Sequence, residues 1–182
     1  MRKLLNKELD RKTVEEFRKS KKSPFVIVLD NVRSHSNVGS VFRTADAFAV
    51  EAIYLCGITA TPPHREIRKT ALGATESVSW KYFANTLTAV NSLKEEGYRI
   101  IGIEQAEGST GLDKFQAEPD LKYALIFGHE INGVDQEVLN ICDSCVEIPQ
   151  FGTKHSFNIA ISAGIVLWEL NRPRPSTFLP AE

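Results

Sequence analysis

A chain of 182 residues, 42% apolar and 25% charged, is long enough for one well-buried core and too rich in Leu, Ile, Val and Phe to be disordered. No apolar run approaches bilayer-spanning length, and the opening Met1-Arg2-Lys3-Leu4-Leu5 lacks the features of a secretion signal, so a cytoplasmic protein with no membrane partner is expected. The net charge of −1 argues against a polyanionic partner, but residues 1–22 carry nine Lys/Arg against four Asp/Glu while residues 23–182 carry 13 against 19. The pattern predicts a basic helical extension over residues 1–22 and a single domain over 23–182. The extension is either an electrostatic foot for nucleic acid or a solvated helix face.

Leu4, Leu5, Leu9, Val14 and Phe17 between charges predict a weakly amphipathic helix from Leu4 to about Ser20. Phe25-Val26-Ile27-Val28-Leu29 is a continuous apolar run, as expected of a strand buried on both faces. Val41, Phe42, Ala45, Phe48 and Ala49 then recur at helical spacing, with Asn37 placed to cap. A strand at Ala52–Cys56, a short helix from Arg65 and a strand at Val78–Phe83 follow. The next helix is capped by Asn85 and ends at Gly97. Strands at Tyr98–Ile103 and Tyr123–Phe127, a helix over 134–142, a strand at Cys145–Ile148 and a helix from Phe157 to about Leu170 complete the alternation. Such alternation indicates an α/β fold with a mostly parallel sheet flanked by helices.

Cys56, Cys142 and Cys145 are an odd number without a secretory context, which argues against a disulfide framework. Cys142-Asp143-Ser144-Cys145 matches C-x-x-C, but no second Cys or His pair accompanies it, so no metal site is expected. Two small buried residues flanking a turn is the preferred reading.

In an open parallel sheet, ligands settle beyond the carboxyl ends of the strands. Three loops there carry unusual polar residues. The first, Asp30 to Arg43, combines Asn31, Asn37 and Gly39 with Arg43 one helical turn beyond Gly39. The second is Phe127-Gly128-His129-Glu130-Ile131-Asn132-Gly133-Val134, a strand leaving through glycine into a G-x-E-x-x-G turn. The third runs from Ile148-Pro149-Gln150-Phe151-Gly152 to Ser156-Phe157-Asn158, where Ser156 suits an N-cap and Asn158 is unexplained by helix propensity. Singly, each is also explained by a cap, an exposed arginine or a solvated turn.

Together, in this order and spacing over residues 30–164, they resemble the motifs of the SpoU/TrmH family of RNA ribose methyltransferases: Asn…Asn-x-Gly…Arg, G-x-E-x-x-G, and I-P-x-x-G…S-x-N. The resemblance implies a SPOUT-type fold with a C-terminal trefoil knot that binds S-adenosylmethionine in its loops. It implies catalytic roles for Arg43, Asn37, Glu130, Ser156 and Asn158, and cofactor contacts, largely through backbone atoms, at Ile103, Glu104, Gly128, Ile148 and Phe157. It also implies a homodimer and an RNA substrate, tRNA being favoured over rRNA because no separate RNA-binding domain is evident. Two positions depart from the family pattern: His129 stands for Asn, and Phe157 for Leu.

Arg33, Arg65, Arg68, Lys69 and Lys154 are the candidate RNA contacts, with an exposed polar loop as the plainer reading of Pro62 to Lys69. His35, His129 and His155 receive no proton-transfer role. The competing functions are a non-catalytic RNA-binding protein of the same fold and a dinucleotide-dependent oxidoreductase. The latter lacks a G-x-G-x-x-G after a strand, and a serine hydrolase would need an absent G-x-S-x-G.

Overall fold

The structure, a computed structural model, describes residues 1–5, 8–154 and 156–172. The apolar runs form β1 (Ser23–Asp30), β2 (Val50–Cys56), β3 (Ser79–Phe83), β4 (Tyr98–Ile103), β6 (Lys122–Phe127) and β7 (Ser144–Glu147), joined by a two-residue strand, β5 (Thr110–Gly111). All pair in parallel as one sheet in the order β3-β2-β1-β6-β4-β7-β5. The helices are α1 (Val14–Lys19), α2 (His35–Ala47), α3 (Arg65–Ala71), α4 (Ala74–Ser77), α5 (Thr86–Glu95), α6 (Gln136–Leu139) and α7 (Ile159–Asn171). None among the described residues is long and apolar enough to cross a membrane.

Burial on both faces explains the unbroken apolar runs. Phe25, Ile27 and Leu29 of β1 pack with Val41 and Phe42 of α2, Ile67 of α3 and Val166 and Leu167 of α7. Their neighbours Val26 and Val28 pack on the opposite face with Val90 and Leu93 of α5 and Val138 of α6. Each fully buried Leu, Ile or Phe contributes about 1.5–3 kcal/mol, so this two-sided core fixes the sheet's register.

Helix ends differ most from expectation. The first helix occupies only Val14–Lys19, started by a Thr13/Glu16 capping box. Leu4, Leu5 and Leu9 remain exposed, and without a buried face a helix upstream of Thr13 has nothing to stabilise it. Ser34, not Asn37, caps α2 through the Asn37 amide at 3.2 Å. Asn158, not Ser156, caps α7, accepting the Ala160 amide at 2.9 Å. The helix expected over 134–142 is confined to α6, capped by Asp135.

Strand β7 lies between β4 and β5, and so runs inside the connection (residues 104–121) that leaves β4, forms β5 and returns to β6. Leu112 donates its amide to Glu147 across this passage at 2.8 Å. Beyond β7 the chain reaches α7, which packs against α2 and brings Asn158 to Asn37 near the carboxyl end of β1.

Candidate active site

Loops following β1 and β6 meet at one carboxylate, and the segment after β7 joins them through Asn37. Glu130 accepts the backbone amides of Arg33 at 3.1 Å and Ser34 at 3.0 Å, and the Asn37 side-chain amide at 3.1 Å. Asn37 accepts in turn from Asn158 Nδ2 at 2.9 Å, while Asn158 Oδ1 caps α7. A hydrogen-bonded chain therefore runs Glu130–Asn37–Asn158 through all three motifs. Burial pushes the Glu130 carboxyl up, but the amides of Arg33, Ser34 and its own backbone, together with Asn37, outweigh it and hold its pKa below the ordinary value.

The turn that presents Glu130 is closed by a pair of backbone hydrogen bonds between His129 and Gly133, both 2.9 Å, with Gly133 at φ 69°. A Cβ on Gly128 would lie 2.1 Å from the carbonyl carbon of Gly133 and the nitrogen of Val134. Gly128 is therefore required by its own turn, a reason different from the ligand approach expected from sequence. His129 Nδ1 accepts the amides of Ile131 and Asn132 at 3.0 and 3.3 Å, a task that an Asn side chain can also perform, so the substitution keeps the turn.

Glu104 contributes through its side chain as well as its backbone. Oε2 accepts the Val134 amide at 3.0 Å and Oε1 that of Gln105 at 2.9 Å, which ties the end of β4 to the Glu130 turn. Asp30 was missed from sequence. Fully buried, it accepts from Thr86 Oγ1 at 2.6 Å, Asn31 Nδ2 at 2.9 Å and the Asp135 amide at 2.9 Å, joining β1 to the starts of α5 and α6. A carboxylate closing an otherwise apolar strand was the available signal. Thr59, also buried, bridges the Leu29 carbonyl and the Val32 amide and shapes the same loop, with no sequence signal to mark it.

Arg43 is exposed on α2, and no hydrogen bond or ion pair engages it among the described residues. Ser156 and Phe157 are exposed on the segment before α7, whereas Ile103 and Ile148 are half-buried at the ends of β4 and β7. Of the candidate RNA contacts, Arg65, Arg68 and Lys69 line one open cleft with Pro63 and His64. Arg33 and Lys154 are exposed on the loops that carry the Glu130 ligands and Asn158. His155 lies outside the described residues.

Cys142 and Cys145 are free and half-buried, each donating to a carbonyl at 3.3 Å, of Val138 and Glu104 respectively. Burial pushes the Cys142 thiol up to about 11 and raises that of Cys145, which keeps both protonated at neutral pH. Among the described residues no group of three or more His, Cys, Asp or Glu is placed to hold a metal ion.

Comparison with known proteins gives this geometry relatives. The chain is 33% identical over 151 residues to the 23S rRNA (guanosine-2′-O-)-methyltransferase RlmB of Neisseria meningitidis, covering 83% of this chain and 59% of that protein. It is 29% identical to RlmB of Vibrio parahaemolyticus, covering 92% and 67%. The AdoMet-bound rRNA methyltransferase of Sinorhizobium meliloti superposes with a TM-score of 0.79 at 28% identity, over 88% of this chain and 61% of that one. The chain thus spans about three-fifths to two-thirds of the length of these relatives. Residues 24–168 match the profile of the SpoU rRNA Methylase family, and the chain belongs to that family.

Proposed function

We propose that this chain transfers a methyl group from S-adenosylmethionine to a ribose 2′-hydroxyl of RNA. The observation that carries the reading is the Glu130–Asn37–Asn158 chain, which gathers three motif segments at the carboxyl ends of the strands. There an engaged polar scaffold stands on the helix that also carries an unengaged cation, Arg43. Bound S-adenosylmethionine supplies an electrophilic methyl group on a sulfonium. Ile103, Glu104, Gly128, Ile148 and Phe157 would hold it. Half-buried Ile103 and Ile148 at the ends of the adjacent strands β4 and β7, with Phe157 exposed next to Asn158 in sequence, suit the apolar faces of a nucleoside, and loop backbone groups suit its polar edge.

The ribose 2′-oxygen gains negative charge as its proton leaves, and that charge is consumed as the O–CH3 bond forms and the S–CH3 bond breaks, releasing a neutral thioether. A guanidinium offers donors and no acceptor, so Arg43 is not given the part of the base. Its role is to orient an RNA phosphate and stabilise the developing alkoxide, while that phosphate or water takes the proton. Glu130, Asn37 and Asn158 position the loops, and Ser156 is left to contact the ribose or cofactor. The test is transfer of labelled methyl from S-adenosylmethionine to unmodified RNA. Arg43→Ala should bind the cofactor normally and lose roughly 10²–10³ in single-turnover rate; wild-type transfer by this variant refutes the role.

For the substrate we favour rRNA over the tRNA expected from sequence, because the two RlmB relatives, at 33% and 29% identity, are named for methylation of 23S rRNA. With rRNA as the substrate, we propose that the protein works in the cytoplasm. Mapping 2′-O-methyl positions in RNA from cells lacking the protein checks it. The passage of β7 inside the 104–121 connection supports a trefoil knot there. A homodimer is supported by α7, where Ile161 (54% exposed) and Trp168 (64% exposed), two turns apart on one face with half-buried Ile165 between them, leave large apolar side chains open to solvent. Sedimentation of the purified chain at micromolar concentration should give twice the monomer mass, and Trp168→Glu should halve it.

A further inference from the structure

The cleft beside α3 has features that the Glu130 cluster does not use. It is open, about 470 Å³ in volume, and lined by Pro63, His64, Arg65, Arg68 and Lys69. Three exposed cations on two turns of helix attract phosphate but select nothing. An aromatic pair distinguishes this surface from a charged helix face. The His35 and His64 rings stack with centroids 4.0 Å apart and planes 22° apart. His64 Nδ1 accepts the Glu66 amide at 3.2 Å, which fixes the ring at the start of α3. Two stacked rings offer a flat platform for a base, which the three cations alone do not.

The cleft is also fixed relative to the proposed reaction centre. Thr70 Oγ1 donates to the Ser36 carbonyl at 3.0 Å, and a Cβ on Gly39 would come within 2.3 Å of the Ile67 carbonyl oxygen, so α3 sits directly against the first turns of α2. His35 immediately follows Ser34, whose amide binds Glu130.

We propose, building on the RNA methyltransferase reading above, that this cleft is a nucleotide subsite. An RNA phosphate lies among Arg65, Arg68 and Lys69, and an unpaired base stacks on the His35–His64 pair, selecting a single-stranded nucleotide beside the one that is methylated. Unstacked bases are what protein rings can read in RNA, since the groove of a duplex hides them.

The test compares equilibrium binding of a short fluorescein-labelled single-stranded RNA with the same strand in a duplex, using the full chain. The wild type should prefer the single strand. His64→Asn keeps an oxygen acceptor for the Glu66 amide and removes only the ring. With His35→Ala it should weaken single-strand binding roughly tenfold and abolish the preference. Arg65→Gln, Arg68→Gln and Lys69→Gln together should lower the log–log salt slope by about 0.7, the value for one phosphate on a single strand, while leaving S-adenosylmethionine affinity unchanged. Wild-type affinity and preference in the histidine variant, or an unchanged salt slope in the triple variant, overturns the subsite. Wild-type protein that shows the subsite behaviour but transfers no methyl group to unmodified RNA sinks the catalytic reading and leaves the subsite standing. Failure of the wild type to bind either RNA overturns both.

Discussion

Replacing Glu130 with Gln tests the scaffold on which the site rests. The carboxylate receives three donors, the Arg33 and Ser34 amides and Asn37 Nδ2. Glutamine offers one oxygen, removes the charge and turns an NH2 group toward a remaining N–H. Hydrogen bonds to a charged acceptor contribute about 1.5–3 kcal/mol each when shielded. Glu130 is exposed and water competes, so the three together are worth nearer 1–2 kcal/mol. At about 2–4 °C per kcal/mol for a domain of this size, the melting midpoint should fall by several degrees at neutral pH. Because the folded pKa lies below the unfolded one, the carboxylate's contribution is fully present above the unfolded value and is lost as pH falls through the folded value. The gap between wild type and Glu130→Gln, followed by circular dichroism, should therefore be widest near neutrality and close as the solution is acidified through the carboxylate range. Equal midpoints at neutral pH, or a gap that persists undiminished in acid, would show that the Glu130 hydrogen bonds do not hold these loops.

Glycine contacts give a paired prediction. Gly128→Ala puts a methyl group 2.1 Å from backbone and should cost about 1–3 kcal/mol or more, seen as a lowered melting point. Gly152→Ala meets nothing within 4 Å and should leave stability unchanged or slightly raised. At Asn158 the two functions separate: Asn158→Asp retains the cap on Ala160 but loses the donor to Asn37, whereas Asn158→Ala loses both and about 1 kcal/mol of cap. Aspartate should therefore melt near wild type yet methylate RNA slowly, while alanine should fail on both measures.

The parallel sheet was legible because its strands are buried on both faces, and that leaves runs such as Tyr98–Ile103 that match β4 residue for residue. Two-residue β5 carries no local signal. It exists because Thr110 and Gly111 meet the edge of β7, a contact made only in the folded chain. Caps were misassigned for a related reason. Ser34 and Asn37, or Ser156 and Asn158, can each start a helix, and only the backbone of the folded loop decides which one is extended. At the first helix the apolar spacing was real, but Leu4, Leu5 and Leu9 found no core. Motif order pointed to the right loops, yet a bond between Asn37 and Glu130, 93 positions apart, is set by the β1–β6 pairing and not by any local pattern.

That geometry divides the five side chains assigned to catalysis. Asn37 spends its amide on Glu130 and its oxygen on Asn158; Glu130 spends its carboxylate on three donors; Asn158 spends both ends on Asn37 and α7. Groups so engaged hold loops in place and have little left for a substrate. Arg43 and Ser156 are exposed with no described partner, so their polar atoms are available to RNA or cofactor. The two kinds of residue should then separate in measurement. Arg43→Ala breaks no described contact and should keep its stability within about 0.5 kcal/mol of wild type while losing methyl transfer. Asn37→Ala leaves Glu130 and Asn158 each short of a partner and should lower stability and transfer together. Loss of both in Arg43→Ala, or of transfer alone in Asn37→Ala, would reverse the assignment, making the arginine a structural element and the asparagine the group that meets the ribose.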